Sequence, residues 1–192
     1  MYKRQVIKCK DGSTVTLCGT GTLNVIANGK NGIKSGASTE SEGDASLTIR
    51  ELTLNITAPV NDAINAEAAL NVESGTLTIA AGDDALHCDN AMNIGTESTA
   101  GPSITITTCC EGLEGGAVNI YSGDVSIAAT DDCINAANPS LSGYNYALNI
   151  SGGTVVAYTT SGDGFDSNGD ITISGGTVAV CCLLYTSDAA DD

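Results

Sequence analysis

The sequence predicts an all-β chain wound as one single-stranded, right-handed parallel β-helix of about 21–22 residues per coil. Three observations predict it: an apolar position that returns at near-constant spacing, short runs of period-two alternation between those returns, and Gly-containing turns at a fixed phase. The returning position is Ile33, Ile64, Leu86, Leu113, Ile134 and Phe165, at intervals of 31, 22, 27, 21 and 31 residues. The short intervals are the bare coil and the long ones carry insertions.

Within a coil the order is apolar-x-apolar, a Gly turn, apolar-x-apolar, a polar turn and a short third strand. Leu70 and Val72, Leu77 and Ile79, then Leu86 make one coil. Val118 and Ile120, Val125 and Ile127, then Ile134 make another, and Leu148 and Ile150, Val155 and Ala157, then Phe165 a third. Such alternation marks strands with one buried face. Stacking buries a continuous aliphatic column that no single coil buries alone. With no Trp and one Phe, that column must be filled by Val, Ile, Leu and Ala. The turns Ser74-Gly75-Thr76, Ser122-Gly123-Asp124, Gly152-Gly153-Thr154 and Gly175-Gly176-Thr177 fall between the first and second strands. A glycine there supplies the positive φ of a tight corner. Insertions fall at corners: 37–45 and 138–146 after a third strand, 95–102 after a first strand. Corner loops are where a solenoid builds binding surfaces. A β-sandwich, the competing fold, leaves the fixed phase of the polar residues unexplained.

One β-helix domain is expected over 6–180, as part of a longer domain. Residues 1–5 and 181–192 resemble translated sequencing-adaptor read-through, so the absence of an apolar signal segment at the start says nothing about location. No apolar run is long enough to span a membrane. The net charge is −16, and all seven bases lie between Lys3 and Arg50. That balance argues against binding nucleic acid by phosphate neutralisation.

The polar residues around the apolar position form columns. Two residues before it stand Asn31, Asp62, Asp84, Glu111, Asp132 and Asp163; one after it stand Lys34, Asn65, His87, Glu114, Asn135 and Asp166. The flanking positions are small, apart from Cys133. Coils stack about 4.8 Å apart, and unit charges about 5 Å apart repel by roughly 3 kcal/mol at an effective dielectric of 20. The acidic coils hold no Lys or Arg to offset this. Oxygen-rich clusters select hard cations, Ca²⁺ above all. The expected ligands are Asp83, Asp84, Asp89, Glu111, Glu114, Asp131, Asp132, Asn135, Asp163 and Asp166, with carbonyls admitted by the small neighbours. The competing reading is a hydrogen-bonded Asp/Asn ladder or a set of turn caps. His87 is read as a hydrogen-bonder in its column, since Ca²⁺ prefers oxygen.

The eight cysteines show no C-x-x-C spacing, which argues against zinc. Cys88 and Cys133 read as packed thiols, and a bridge from Cys109 or Cys110 to the next coil stays open. Catalytic signals are weak. The pairs Asp83-Asp84 and Asp131-Asp132 invite comparison with the paired carboxylates of galacturonan hydrolases, but they serve equally as ligands or turn residues. A lyase needs a base for the proton α to the uronate carboxyl, and the acidic coils offer no Lys or Arg. Aromatic stacking on sugar is best placed at Tyr144 and Tyr146, in the insertion 138–146, with loop packing as the alternative role.

Three runs carry a family resemblance: Ser74 to Asn90 (SGTLTIAAGDDALHCDN), Cys109 to Ala137 (CCEGLEGGAVNIYSGDVSIAATDDCINAA) and Ser151 to Val180 (SGGTVVAYTTSGDGFDSNGDITISGGTVAV). They are similar to the repeats of bacterial secreted carbohydrate-binding-domain proteins of pectate-lyase-like β-helix fold. EGLEG and GDGFDSNG are the specific elements; the Ser-Gly-Gly-Thr turns alone are not. The resemblance covers roughly Thr20 to Val180 and implies Ca²⁺ at the acidic corners, including Asp84, Glu111, Glu114, Asp132, Asn135, Asp163 and Asp166. It further implies non-catalytic binding of cellulose or of acidic sugars such as polygalacturonate, and a place at the cell surface or outside the cell. Ala85 and Cys133 depart from the family's frequent Gly. A calcium-dependent lyase or galacturonan hydrolase is the alternative, a ligand-free structural repeat the third reading, and a monomer is expected.

Overall fold

The structure, a computed structural model, describes residues 5–36, 44–98, 100–138 and 140–183. The chain starts with β1 (Ile7–Cys9), β2 (Thr14–Cys18) and β3 (Thr22–Ile26). It repeats that order in β4 (Ile33–Ser35), β5 (Ser46–Arg50) and β6 (Thr53–Ala58), and again in β7 (Ile64–Ala66), β8 (Ala69–Val72) and β9 (Thr76–Ala81). In the next two coils the third strand runs straight on into the first strand of the following coil. These are β10 (Leu86–Ile94) with β11 (Ser103–Thr108), and β12 (Leu113–Ile120) with β13 (Asp124–Ala129). Two more coils follow: β14 (Ile134–Ala136), β15 (Ala147–Ile150) and β16 (Thr154–Thr159), then β17 (Phe165–Ser167), β18 (Asp170–Ile173) and β19 (Thr177–Cys182).

Every pairing is parallel and joins a strand to its counterpart one coil away. The result is a β-solenoid of about six turns with no helix among the described residues. Register confirms the aligned position: Ile33, Ile64, Leu86, Leu113, Ile134 and Phe165 stack in that order. The structure adds Ile7 beneath Ile33, a rung that the sequence alignment omits.

The core follows from the alternation. Leu47, Leu70, Met92, Val118 and Leu148 stack as one fully buried column, and Leu54, Leu77, Ile104, Val125 and Val155 as another. Gly75 and Gly123 turn their corners at φ 103°, a left-handed region costly for other residues. Between the two core residues of the first strand lies an outward Asn ladder. Asn93 donates to Asn71 at 2.9 Å, Asn119 to Asn93 at 3.0 Å and Asn149 to Asn119 at 2.9 Å.

Of the two terminal segments, residues 1–4 and 184–192 lie outside the described residues, as do 37–43 of the first insertion. Within the described part, β19 runs past Val180, with Cys181 opposite Tyr158 and Cys182 opposite Thr159. All eight cysteines are free thiols, so no bridge leaves Cys109 or Cys110; Cys88 and Cys133 are buried.

Candidate functional site

The acidic columns lie where each third strand leaves its corner. The backbone there is bonded coil to coil. Ala63 N–H donates to the Asp84 carbonyl at 2.9 Å, Ala85 to Glu111 at 2.9 Å and Gly112 to Asp132 at 3.0 Å. The next carbonyls are used in the same way: Ile64 N–H donates to Ala85 and Leu113 N–H to Cys133. Each of these carbonyls keeps a second lone pair, and the small neighbours let adjacent corners approach closely.

The two columns interlock. Asp62 accepts from Asn31 at 3.1 Å and Asn65 at 2.6 Å. Asp84 contacts His87 Nδ1 at 3.2 Å, and Glu114, one rung on, contacts the same nitrogen. Asp89 contacts His87 Nε2 at 3.0 Å. Asp89 reaches the ring because β10 bulges: Asp89 and Asn90 occupy the place that Gly116 alone fills in β12. Glu111 accepts from Asn135 Nδ2 at 3.2 and 3.4 Å. Asn135 Oδ1 is buried with no hydrogen-bond partner.

Charge follows from this packing. Burial alone would lower the His87 pKa, but hydrogen bonds to Asp84, Asp89 and Glu114 raise it to about 12. His87 is therefore held as an imidazolium at neutral pH, a cation among coils that carry no Lys or Arg. Burial lifts Asp62 to about 6, with the neighbouring Asp84 charge adding to it. Burial lifts Asp84 to about 6, and its contact with Glu114 adds to the rise against the pull of His87. Burial and the Glu114 and Asp84 charges lift Glu111 to about 7. Burial would raise Glu114 as well, but its bonds to His87 and Asp84 outweigh that and lower it. Asp83 and Asp132 are raised, chiefly by burial.

Two groups of ligand-type atoms converge within 4.8 Å: Asp62, Asp83 and Asp84, and Asp84, His87 and Glu114. In the second group the imidazolium already bridges the carboxylates. The first is all oxygen and suits a hard cation. Asp62 was absent from the expected ligand set, although it lies in the column two residues before Ile64. Further along, Asp132 accepts the Asp163 N–H at 2.7 Å. Among the described residues, Asp89, Glu111, Asp131, Asp132, Asp163 and Asp166 join no such convergent group.

The insertion 138–146 folds back over this corner. Asn138 Nδ2 donates to the Asp89 carbonyl at 2.9 Å. The Tyr146 hydroxyl donates within the loop, to the carbonyls of Asn138 at 2.5 Å and Leu141 at 2.8 Å. Tyr144 lies on Gly116, where an added Cβ would meet its ring at 2.8 Å, and its ring centre is 5.7 Å from that of Tyr146. The two tyrosines therefore differ: Tyr146 holds the loop together, and Tyr144 forms a wall beside the acidic corner.

Nothing among curated proteins or solved structures matches the chain. A family model does match, over residues 6–189: the chain belongs to the family described as carbohydrate-binding domain-containing protein.

Proposed function

We propose that the protein binds an acidic polysaccharide, with polygalacturonate as the first candidate and cellulose as the neutral alternative, without cleaving it. Binding is proposed to occur at the acidic corner and to depend on Ca²⁺. The observation that carries this reading is the convergence of Asp62, Asp83 and Asp84 oxygens within 4.8 Å. Asp62, Asp83 and Asp84 would hold the ion, and Ca²⁺ there would supply a positive centre able to accept a uronate carboxylate. Without one, a −16 protein and a polyanion repel. Tyr144 would line the sugar site.

His87 supports the non-catalytic reading. Both ring nitrogens are engaged by carboxylates, whose hydrogen bonds favour the protonated ring over a free base. Family membership supports a carbohydrate partner. Such a role fits the cell surface or the space outside the cell, where free Ca²⁺ is abundant.

A glycan array read with and without chelator tests the proposal. Binding to uronate-rich glycans that disappears in chelator is expected. Chelator-independent binding to cellulose alone removes the metal from the account. An array without any bound glycan favours a structural repeat, and release of unsaturated or reducing ends from polygalacturonate identifies an enzyme.

A further inference from the structure

An ammonium without a carboxylate partner lies beside the acidic corner. Lys34 stacks on Asn65, and Asn65 on His87, in one outward column. The Lys34 ammonium donates to Asn65 Oδ1. From its other amide atom, Nδ2, Asn65 donates to Asp62 Oδ2 at 2.6 Å. Asp62 is the carboxylate that converges with Asp83 and Asp84. A single side-chain amide therefore separates the Lys34 charge from that group.

The two cations that flank Asn65 differ in what they have left to donate. His87 has both ring nitrogens engaged by Asp84, Glu114 and Asp89. An ammonium has three N–H donors, and Lys34 uses one on Asn65. Among the described residues, every ion pair belongs to His87 and none to Lys34. The rung on the far side of Lys34 brings Lys8, whose ammonium bonds the Gly36 carbonyl. Burial first, and then the Lys34 charge, lower the Lys8 pKa, with Glu67 pulling the other way. Acids outnumber Lys and Arg by 23 to 7 in this chain. A half-buried ammonium that pairs with none of them, one amide away from three, leaves a place for an anion from outside.

We propose that Lys34 reads the charge of the sugar: its ammonium contacts a uronate carboxylate of a chain bound at the Asp62–Asp83–Asp84 corner. The inference rests on the function proposed above, in which that corner receives an acidic polysaccharide. Asp83 is exposed, so the corner opens to solvent. A chain lying along the solenoid axis passes from the Asp62 rung to Lys34 within one coil spacing, about 4.8 Å. A neutral sugar in the same place leaves the ammonium unpaired, so Lys34 favours acidic over neutral chains.

Calorimetric titration tests this with Ca²⁺ alone and then, in Ca²⁺, with trigalacturonate and its methyl ester. Lys34→Gln removes the charge and keeps an amide donor for Asn65, and Lys34→Arg keeps the charge. Arg50→Gln, at the end of β5, makes the same change in net charge outside this column. Lys34→Gln is expected to bind Ca²⁺ at least as tightly as the parent and to lose at least about tenfold in trigalacturonate affinity. The methyl ester should not distinguish it from the parent, and Lys34→Arg and Arg50→Gln should keep the parent's preference for the acid. Unchanged trigalacturonate affinity in Lys34→Gln, or an equal loss in Arg50→Gln, overturns the inference and leaves the proposed function standing. So does loss of Ca²⁺ binding together with the sugar in Lys34→Gln, because Lys34 would then act only by holding Asp62 through Asn65. A parent that takes up no trigalacturonate in Ca²⁺ overturns the proposed function and this inference with it.

Discussion

His87→Asn is the substitution that the site geometry makes most consequential. Asn occupies the same column position at Asn65 and Asn135, so the shape is tolerated and the change is chiefly one of charge. At the 3.2 Å separation of His87 and Asp84, an effective dielectric of 20 gives about 5 kcal/mol of gross attraction. Desolvation offsets much of this. Removing one partner of a buried pair costs about 3–5 kcal/mol. Here the side chains of His87 and Asp84 are 19% and 12% exposed, and that of Asp89 is 37% exposed, so its arm counts for little. Asp84 can also take up a proton once the imidazolium is gone. The net loss expected at neutral pH in chelator is about 2–3 kcal/mol, or roughly 5–10 °C in melting temperature for a chain of this size. At about pH 5 the loss should be at least halved, because Asp84, raised to about 6, is then protonated. Added Ca²⁺ should stabilise the variant more than the parent, since Asp84 and Glu114 face each other without a cation. Circular-dichroism melts in EDTA and in Ca²⁺ at both pH values are the assay. A variant that melts with the parent at neutral pH in EDTA refutes the reasoning, because it would mean that His87 carries no net stabilising charge.

The pH dependence of the metal-free protein should be the reverse of the usual carboxylate case. Asp62, Asp84 and Glu111 have folded pKa values raised to about 6, 6 and 7. Their contribution is full below the unfolded carboxylate range and is lost as pH climbs through 6 to 7. His87, raised to about 12, loses its contribution progressively above 6.5; Glu114, lowered, acts in the opposite sense. Denaturant titrations in EDTA should therefore show falling stability from about pH 5 to 8, and a rise over that range contradicts the assignment. Asn119→Ala should cost about 1–2 kcal/mol in the same titrations, since it removes the donor to Asn93 Oδ1 and the acceptor of Asn149 Nδ2; no change would show that water replaces the ladder. Tyr146→Phe should lower stability by about 1 kcal/mol through its loop hydrogen bonds and leave glycan affinity unaltered, while Tyr144→Ala should lower affinity and leave the melting temperature almost unmoved. The converse pattern would reverse the roles given to the two tyrosines.

The fold was legible because a parallel solenoid writes its register into the sequence. A core position that recurs in each coil must stack on itself, so aligning Ile33 through Phe165 was equivalent to reading the pairing. Ile7 escaped because the first coil lacks the polar-column pattern used to fix the phase. The Asn ladder is written in the repeated central Asn of Leu70-Asn71-Val72, Met92-Asn93-Ile94, Val118-Asn119-Ile120 and Leu148-Asn149-Ile150, an uncharged signal weaker than that of the acidic columns. The columns themselves were legible to the residue. Their charge state was not, because it depends on contacts that spacing does not encode: Asp89 reaching His87 across a bulge, and Glu114 reaching it from the next rung. The division of labour between Tyr144 and Tyr146 was hidden for the same reason, since hydrogen bonds inside one loop decide it.

Calorimetric titration of polygalacturonate into the parent chain and into Asp62→Asn/Asp84→Asn, each in Ca²⁺ and in EDTA, tests the central claim most directly. The substitutions keep shape and set relief of the buried Asp62 and Asp84 charges against the loss of one of the three carboxylate partners of His87, so a melt in EDTA checks that the variant is folded. The account predicts binding by the parent in Ca²⁺ that weakens at least about tenfold in EDTA, and a variant that binds weakly in both. Equal affinity of the parent in Ca²⁺ and EDTA, or a variant that keeps the full Ca²⁺-dependent affinity, would contradict it.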